Sequence, residues 1–495
     1  MNSARQASAP LVETLRSCVH RSQISFHTPG HKQGQGIPEI LCELLGTAVF
    51  QADFPELPEL DNLFTPKGVI QQAQELAAEA FGAEQTWFLA NGSTCGIEAA
   101  VLATCNPGDK IVLPRNVHQS AIAALILSGA MPVFVEPVYD PAWDLVHGTF
   151  PDAIEMALSH HPDAKAVLLV SPTYHGVCSD LEAIAQLTHR YSIPLLVDEA
   201  HGAHFAFHPD LPTPALAAGA DLAVQSIHKT LAALTQAAML HIQGQRIDRD
   251  RLTRSLQLVQ STSPSYLLLA SLDAARQQMA TAGHALMERT LELADRARTQ
   301  ISQIPGLEVL HPNQTGITPG FFALDRTRLT INVTGLGLTG FQTDEILHQT
   351  LGVTAELPVL CHLTFIITIG NTEADIDRLI QAFRTLAKDA EIRRCGDAET
   401  KFTPHPSPLT PHPSLHLLTP RQAFFAPSVT VPIEQAIDQI SAELICPYPP
   451  GIPVLFPGDI IAAEAIDYLQ EVLAAGGTIT GCSDPSLQTL KIVKG

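Results

Sequence analysis

Basic residues are scarce in this sequence: 29 lysines and arginines stand against 50 aspartates and glutamates, a formal net charge of −21. That balance argues against a phosphate backbone as partner, because such binding needs clustered lysine and arginine. It keeps the chain soluble and weakly favours the approach of a cationic small molecule. Long hydrophobic runs are missing too. The best candidate, AIAALILSGAMPVFV at 121–135, is broken by Ser128, Gly129 and Pro132, short of the roughly 18 apolar residues a membrane-spanning helix needs. The first twenty residues carry Glu13 and other polar groups and no apolar block, so no secretory signal and a cytoplasmic setting are expected. Nine cysteines include no C-x-x-C pair, and read as reduced thiols that form neither a disulfide frame nor a zinc site. No internal repeat is visible.

What is present is the alternation of a layered α/β protein. A chain of 495 residues exceeds one compact core, and at about 150 residues per domain it should hold two to four. Residues 1–60 form an N-terminal arm with one dense motif, FHTPGHKQG at 26–34. A large domain is expected over 61–304. Its strand candidates are QTWFL (85–89), KIVL (110–113), PVFV (132–135), KAVLLV (165–170), PLLVDE (194–199), DLAVQS (221–226) and AAMLHI (237–242). Helical patterns at 95–105, 119–128, 151–160 and 180–190 separate them, and a long one covers 264–303. Near-continuous apolar strands alternating with helices predict a largely parallel sheet covered on both faces. A smaller α/β domain follows at 305–399, with strands expected in RLTINVTGL (328–336) and LTFIITIG (363–370). The proline- and histidine-rich segment 400–420 reads as an exposed linker rather than a metal site. A C-terminal α/β domain at 421–495 carries the proline-stiffened ICPYPPGIPVLFPGD.

The chemistry concentrates at predicted strand ends, where ligands of open α/β sheets bind. Lys229, in Ser226-Ile227-His228-Lys229, directly follows one such strand. Partly desolvated there, its amine can attack an aldehyde to form a Schiff base. Asp198 lies 31 residues upstream, at the end of PLLVDE. Beside such a lysine it would hold a proton on the pyridine nitrogen of pyridoxal 5'-phosphate, which makes the ring a better electron sink. Ala200 offers that ring a flat contact, whereas Glu199 and His201 read equally well as polar residues of a helix start. NGST at 91–94 supplies a glycine turn, the Ser93 and Thr94 hydroxyls and a following helix, the elements of a phosphate site and equally of a plain N-cap. His118, at the start of the next helix, can lie over the ring face opposite Ala200.

In this order the pieces resemble the aspartate-aminotransferase fold group, and within it the bacterial ornithine/lysine/arginine decarboxylase family in its short branch. The strings that carry the resemblance are FHTPGHKQG (26–34), NGSTCGI (91–97), PRNVHQS (114–120), VDEAHGAH (197–204), QSIHKTL (225–231), STSPSY (261–266) and CPYPPGIP (446–453). The resemblance implies pyridoxal-phosphate-dependent decarboxylation of lysine, ornithine or arginine. It implies Lys229, Asp198 and His118 as catalytic residues, with Ser93, Thr94, Ser226 and His228 around the phosphate. It also implies a homodimer, or a higher even oligomer, in which Thr262 reaches the partner's cofactor. No metal and no nucleic acid are expected.

Two rivals stay open. An aminotransferase or carbon–carbon lyase would need an arginine for the substrate carboxylate, and Arg326 and Arg328 are available. A non-catalytic pyridoxal-phosphate-binding regulator is the other. The proton donor is undecided among His228, Lys229 and Cys446. Glu443, Asp53, Glu56 and Asp61 are candidates for the substrate's cationic head, with a simple surface role expected for each. Ser263, ahead of Pro264, also reads as a helix cap.

Overall fold

The computed structural model describes residues 3–21, 23–394, 418–449 and 451–494. Most of the expected linker, with His405, His412 and His416, lies outside the described residues. The chain divides into two compact units, Met1–Ala103 with Leu196–Met287 and Thr104–Leu195 with Glu288–Gly495.

Seven apolar runs become the strands of the main sheet. They are β1 (Gln85–Leu89), β2 (Lys110–Pro114), β3 (Met131–Val135), β4 (Ala166–Val170), β5 (Leu195–Asp198), β6 (Leu222–Gln225) and β7 (Ala238–Ile242), ordered β1-β7-β6-β5 in the first unit and β4-β2-β3 in the second. β2 is parallel to β3 and β4, and β5 is parallel to β6. β7 runs antiparallel to both β1 and β6. The sheet is therefore mostly parallel, as its unalternating sequences predict, with one strand turned. β5 passes from one unit to the other: Leu195 ends the second and Leu196 resumes the first.

In the first unit, helix Gly92–Thr104 lies very close to the sheet. A Cβ on Gly96 would sit 2.7 Å from both Leu89 Cδ1 and Val224 Cγ1, so glycine alone permits this approach. Helix Val69–Phe81 buries Ile70, Leu76 and Phe81 and ends on Gly82 in the left-handed region. The N-terminal arm is bolted down. Buried Arg276, on helix Tyr266–Ile301, donates to the carbonyls of Gln6 and Ser8 at 2.8 Å each and pairs with Asp273, whose other oxygen accepts from Leu11 N at 2.9 Å. Breaking such a buried pair from one side costs about 3–5 kcal/mol.

The second unit holds β2, β3 and β4 and an antiparallel four-stranded sheet. Its strands are β8 (Glu308–Val309), β9 (Arg328–Asn332), β10 (Leu357–Pro358) and β11 (His362–Ile366), ordered β8-β9-β11-β10. Leu329, Ile331, Leu363 and Phe365 share one core with Ile380 and Phe383 of helix Glu373–Arg394. Both strands end earlier than expected. Asn332 Oδ1 accepts from Thr334 N and Oγ1 at 3.0 and 2.7 Å, an Asx turn that diverts β9 into a 3-10 turn over Thr334–Leu336. The C-terminal part pairs Ser428–Pro432 with Thr489–Val493 and Cys446–Tyr448 with Thr478–Thr480, over a core that includes Ile445, Leu455 and Leu469. No helix of the described residues is long and apolar enough to cross a membrane.

Candidate functional site

The first unit brings together most of the residues singled out from sequence. β5 and β6 are parallel neighbours, so their carboxyl ends lie side by side; Asp198 closes one and Ser226 follows the other. Lys229 sits on the single helical turn Ile227–Thr230 that begins there. That turn is pinned by the Ala237 carbonyl, which accepts from His228 N at 3.2 Å and from His228 Nδ1 at 3.1 Å. Lys229 Nζ shares a hydrogen bond of 3.0 Å with His201 Nε2, and His201 is buried. Asp198 is buried and accepts from Ala200 N at 3.1 Å. Burial pushes its carboxyl up from the ordinary range, against the pull of the Lys229 ammonium and the Ala200 N–H. An anion kept here needs a cation beside it.

Ser226 Oγ donates to Ser93 Oγ at 2.8 Å, which places two hydroxyls at the N-terminus of the 13-residue helix Gly92–Thr104. Gly92 takes φ +76° to make the turn, and Thr94 beside it is exposed. Unsatisfied N–H groups and the helix dipole make this end receptive to a phosphate. The set suits a phosphorylated aldehyde cofactor: an amine on a strand-end turn, a buried carboxyl that needs a cation, and hydroxyls at a helix start.

STSPSY also lies in this unit. Ala90 N donates to Gln260 Oε1 at 2.9 Å, and Ser261 N reaches Asn91 Oδ1 at 3.4 Å, so the segment adjoins the NGST turn of its own chain. Thr262 itself is exposed. The helix starts at Tyr266, and Leu269 N bonds the Ser265 carbonyl at 3.2 Å. Ser265 thus takes the flanking position expected for Ser263, whose own N–H is held by Ser261 Oγ at 3.1 Å.

In the second unit, His118 is the N-cap of helix Gln119–Ser128, its Nδ1 accepting from Ser120 N at 3.2 Å and lying 2.9 Å from Ser120 Oγ. The same stretch anchors CPYPPGIP. Gln119 N donates to the Gly451 carbonyl at 3.1 Å, and Arg115 donates to the carbonyls of Pro453 and Val454 and to Asp459 Oδ2 at 2.7 Å. The Arg115 guanidinium lies 4.3 Å from the Phe456 ring centre. Cys446 is buried, and burial pushes its thiol up to about 12, a proton held rather than released.

The carboxylates considered for the substrate's head mostly support backbone instead. Asp61 accepts from the N–H groups of Asn62, Lys67, Gly68, Ile70 and Gln71, remotely capping helix Val69–Phe81. Glu56 holds Asn62 Nδ2 at 2.5 Å, and Asp53 lies 3.2 Å from His31 Nε2. Glu443, expected at the surface, is buried and accepts from Ser483 N and Lys491 N at 2.7 and 2.8 Å. Arg326 pairs with Asp295 at 2.8 Å, and Arg328 is fully buried with Asp325 3.6 Å away. Sequence reasoning missed a polar row across the sheet. Glu199 accepts from Gln225 Nε2 at 2.8 Å, Gln225 Oε1 lies 3.1 Å from His241 Nε2, and His241 Nδ1 is 2.8 Å from Thr86 Oγ1. A histidine inside the apolar run AAMLHI was the available signal.

Two family models cover the chain: "Orn/Lys/Arg decarboxylase, major domain" matches residues 9–375, and "Orn/Lys/Arg decarboxylase, C-terminal domain" matches 415–484. The arginine decarboxylase of Bacillus subtilis (strain 168) is 40% identical over 489 residues, covering 99% of this chain and 98% of the relative. Among solved structures, the lysine decarboxylase LdcF of Francisella novicida superposes with a TM-score of 0.83 at 21% identity, covering 99% of this chain and 82% of its own. An alanine–glyoxylate aminotransferase from Nostoc sp. reaches 0.52 at 17% identity, covering 66% of this chain and 88% of its own. At those identities the two structures show a shared fold alone. The sequence matches, running over nearly the full length of chain and relative alike, do more: the chain belongs to the Orn/Lys/Arg decarboxylase family.

Proposed function

We propose that this protein is a pyridoxal-5'-phosphate-dependent decarboxylase that removes the α-carboxylate of a basic amino acid, with arginine preferred. The observation that carries the reading is the placement of Lys229 and buried Asp198 at the carboxyl ends of adjacent parallel strands. Arginine is favoured over lysine because the 40% identical relative is named an arginine decarboxylase, whereas the one from Pseudomonas aeruginosa named a lysine decarboxylase is 24% identical.

Bound through Lys229, the cofactor would supply an electron sink for the pair released when the carboxylate leaves. The remaining work falls to the chain. Asp198 would supply the negative charge that favours a proton on the ring nitrogen. Ser93, Thr94, Ser226 and His228, with the N-terminus of helix Gly92–Thr104, would hold the phosphate. Ala200 would give one face of the ring a flat, small contact. His201 Nε2, 3.0 Å from Lys229 Nζ, would take the lysine's proton and return it. Burial of Cys446 and Arg328 argues against the first as proton donor and against the second as the carboxylate anchor an aminotransferase needs.

The working unit in this reading is a homodimer in the cytoplasm. Helix Glu39–Leu45 buries none of its residues within the chain, leaving Ile40 and Leu44 74% and 76% exposed, and Phe26 is 92% exposed. Apolar surface of this kind supports association. Exposed Thr262 is then free to meet a second copy's cofactor. The eight described cysteines are all thiols, which supports a reducing compartment. The test is borohydride reduction followed by peptide mapping: the cofactor should be fixed to Lys229, and fixation to another lysine would refute the assignment.

A further inference from the structure

We infer that the second unit carries a pocket for a compact aliphatic cation, built around Asp144. A cavity of about 90 Å³ lies among Asp144, Asn116, Tyr174, His175, His362 and Tyr468, with aliphatic side chains making up most of the remaining wall. One buried water needs about 10–15 Å³ by this measure, so the space suits several waters or a guanidinium with a few methylenes.

Three observations fix the sign of the ligand. Asp144 is the one carboxylate among the described residues lining the cavity, and no lysine or arginine lines it. His175 and His362 add no positive charge near neutrality. Burial holds His175 well below its ordinary value, with His362, His147 and the Arg328 guanidinium adding to the effect, and burial brings His362 down to about 4. Asn116 is only 6% exposed, and its Oδ1 accepts no hydrogen bond among the described residues. A buried carbonyl oxygen left in that state invites a donor.

The carboxylate is held in place. Asp144 closes the turn between the paired segments Tyr139–Asp140 and Leu145–Val146 at φ +48°, and Tyr139 Oη donates to its Oδ1 at 2.8 Å. Its other oxygen faces Cys361 Sγ at 4.0 Å. Asp144 and Glu471 both act on Cys361 and Tyr468, adding to the burial that keeps those protons on, and Glu471 Oε2 is a buried oxygen with no hydrogen-bond partner among the described residues. An anion would meet the Asp144 carboxylate here, with that of Glu471 behind the wall, and a wholly apolar ligand would strand Asn116 Oδ1. A guanidinium or ammonium on a short aliphatic chain satisfies both acceptors and fills the apolar wall.

That chemistry has two sources under the proposed activity: the amino acid itself or its amine product. The choice of probes rests on that activity. Agmatine and arginine are titrated into holoenzyme by calorimetry, using wild type, Asp144→Asn and Asn116→Asp. Asp144→Asn, which retains an oxygen for Tyr139, should weaken agmatine about 10- to 100-fold, the worth of one charge-assisted hydrogen bond. Asn116→Asp should tighten it, and a folding defect cannot move the two variants in opposite directions. Agmatine affinity within twofold of wild type in Asp144→Asn would overturn the pocket. If KM for arginine rises in step with the agmatine Kd, the amino acid's own head occupies the site. If KM holds while inhibition by agmatine disappears, the product does. Carbon dioxide release by the wild type scores the decarboxylase reading separately, so either inference can fail alone.

Discussion

Replacing Glu199 by glutamine should flatten the pH dependence of stability. Glu199 is buried with two hydrogen bonds, from Ala215 N at 2.7 Å and Gln225 Nε2 at 2.8 Å. Neither donor is charged, and burial pushes the carboxyl from its ordinary 4.5 up to about 8. Between those values the folded protein keeps a proton that the unfolded chain has released. Stability therefore falls as pH rises through the window and is level outside it. At about 1.4 kcal/mol per unit, the whole span amounts to about 5 kcal/mol. Glutamine has nothing to titrate, and the row beside it can accommodate the change. Gln225 turns over its amide, and His241, whose burial brings it down to about 3 and keeps it neutral, shifts its proton from Nε2 to Nδ1 and donates to Thr86. Denaturant midpoints of both proteins, measured from pH 5 to 8, should diverge by about 4 kcal/mol in favour of Glu199→Gln at the upper end. Parallel curves would mean that Glu199 is ionised throughout in the folded protein, the opposite of a buried, protonated carboxyl.

Other outcomes follow from single contacts. Arg115→Met should leave Asp459 buried without its 2.7 Å partner, costing about 3–5 kcal/mol; limited proteolysis should then cut near CPYPPGIP well before it does in the wild type. Asp198→Asn should preserve the fold by circular dichroism and slow turnover by about 100- to 1,000-fold, the usual cost of losing one electrostatic stabiliser. Lys229→Ala and a strongly defective Thr262 variant should each be inactive, yet co-expression should restore about a quarter of full activity through random mixed dimers. No recovery despite demonstrated mixed dimers would confine Thr262 to its own chain.

The main strands were legible as unbroken apolar runs, which for all but the half-exposed β3 reflects burial on both faces, and Gln85–Leu89 coincides with its expected span. The reversal of β7 was not legible, since its fully buried pattern is the same in either direction. Lys229 and Asp198 could be singled out because a strand end followed by a polar cluster is itself a local signal. Long-range support left none. Arg276 reads as an ordinary helix residue until Gln6 and Ser8 arrive 270 and 268 positions away. Glu443 and Asp61 carry the charge of substrate contacts but spend it on backbone N–H groups, a use that becomes visible only when the chain has folded around them. Asp144 sits in an ordinary turn, and only the cavity that folding forms beside it sets it apart from other surface carboxylates.

The central claim is decided most directly by product analysis. Purified holoenzyme is incubated separately with arginine, lysine and ornithine, and carbon dioxide, amine and keto acid are quantified together. Equimolar carbon dioxide and amine are expected, fastest with arginine to agmatine, and neither product from Lys229→Ala. Stoichiometric keto acid without carbon dioxide, or amine formation that survives loss of Lys229, would contradict it.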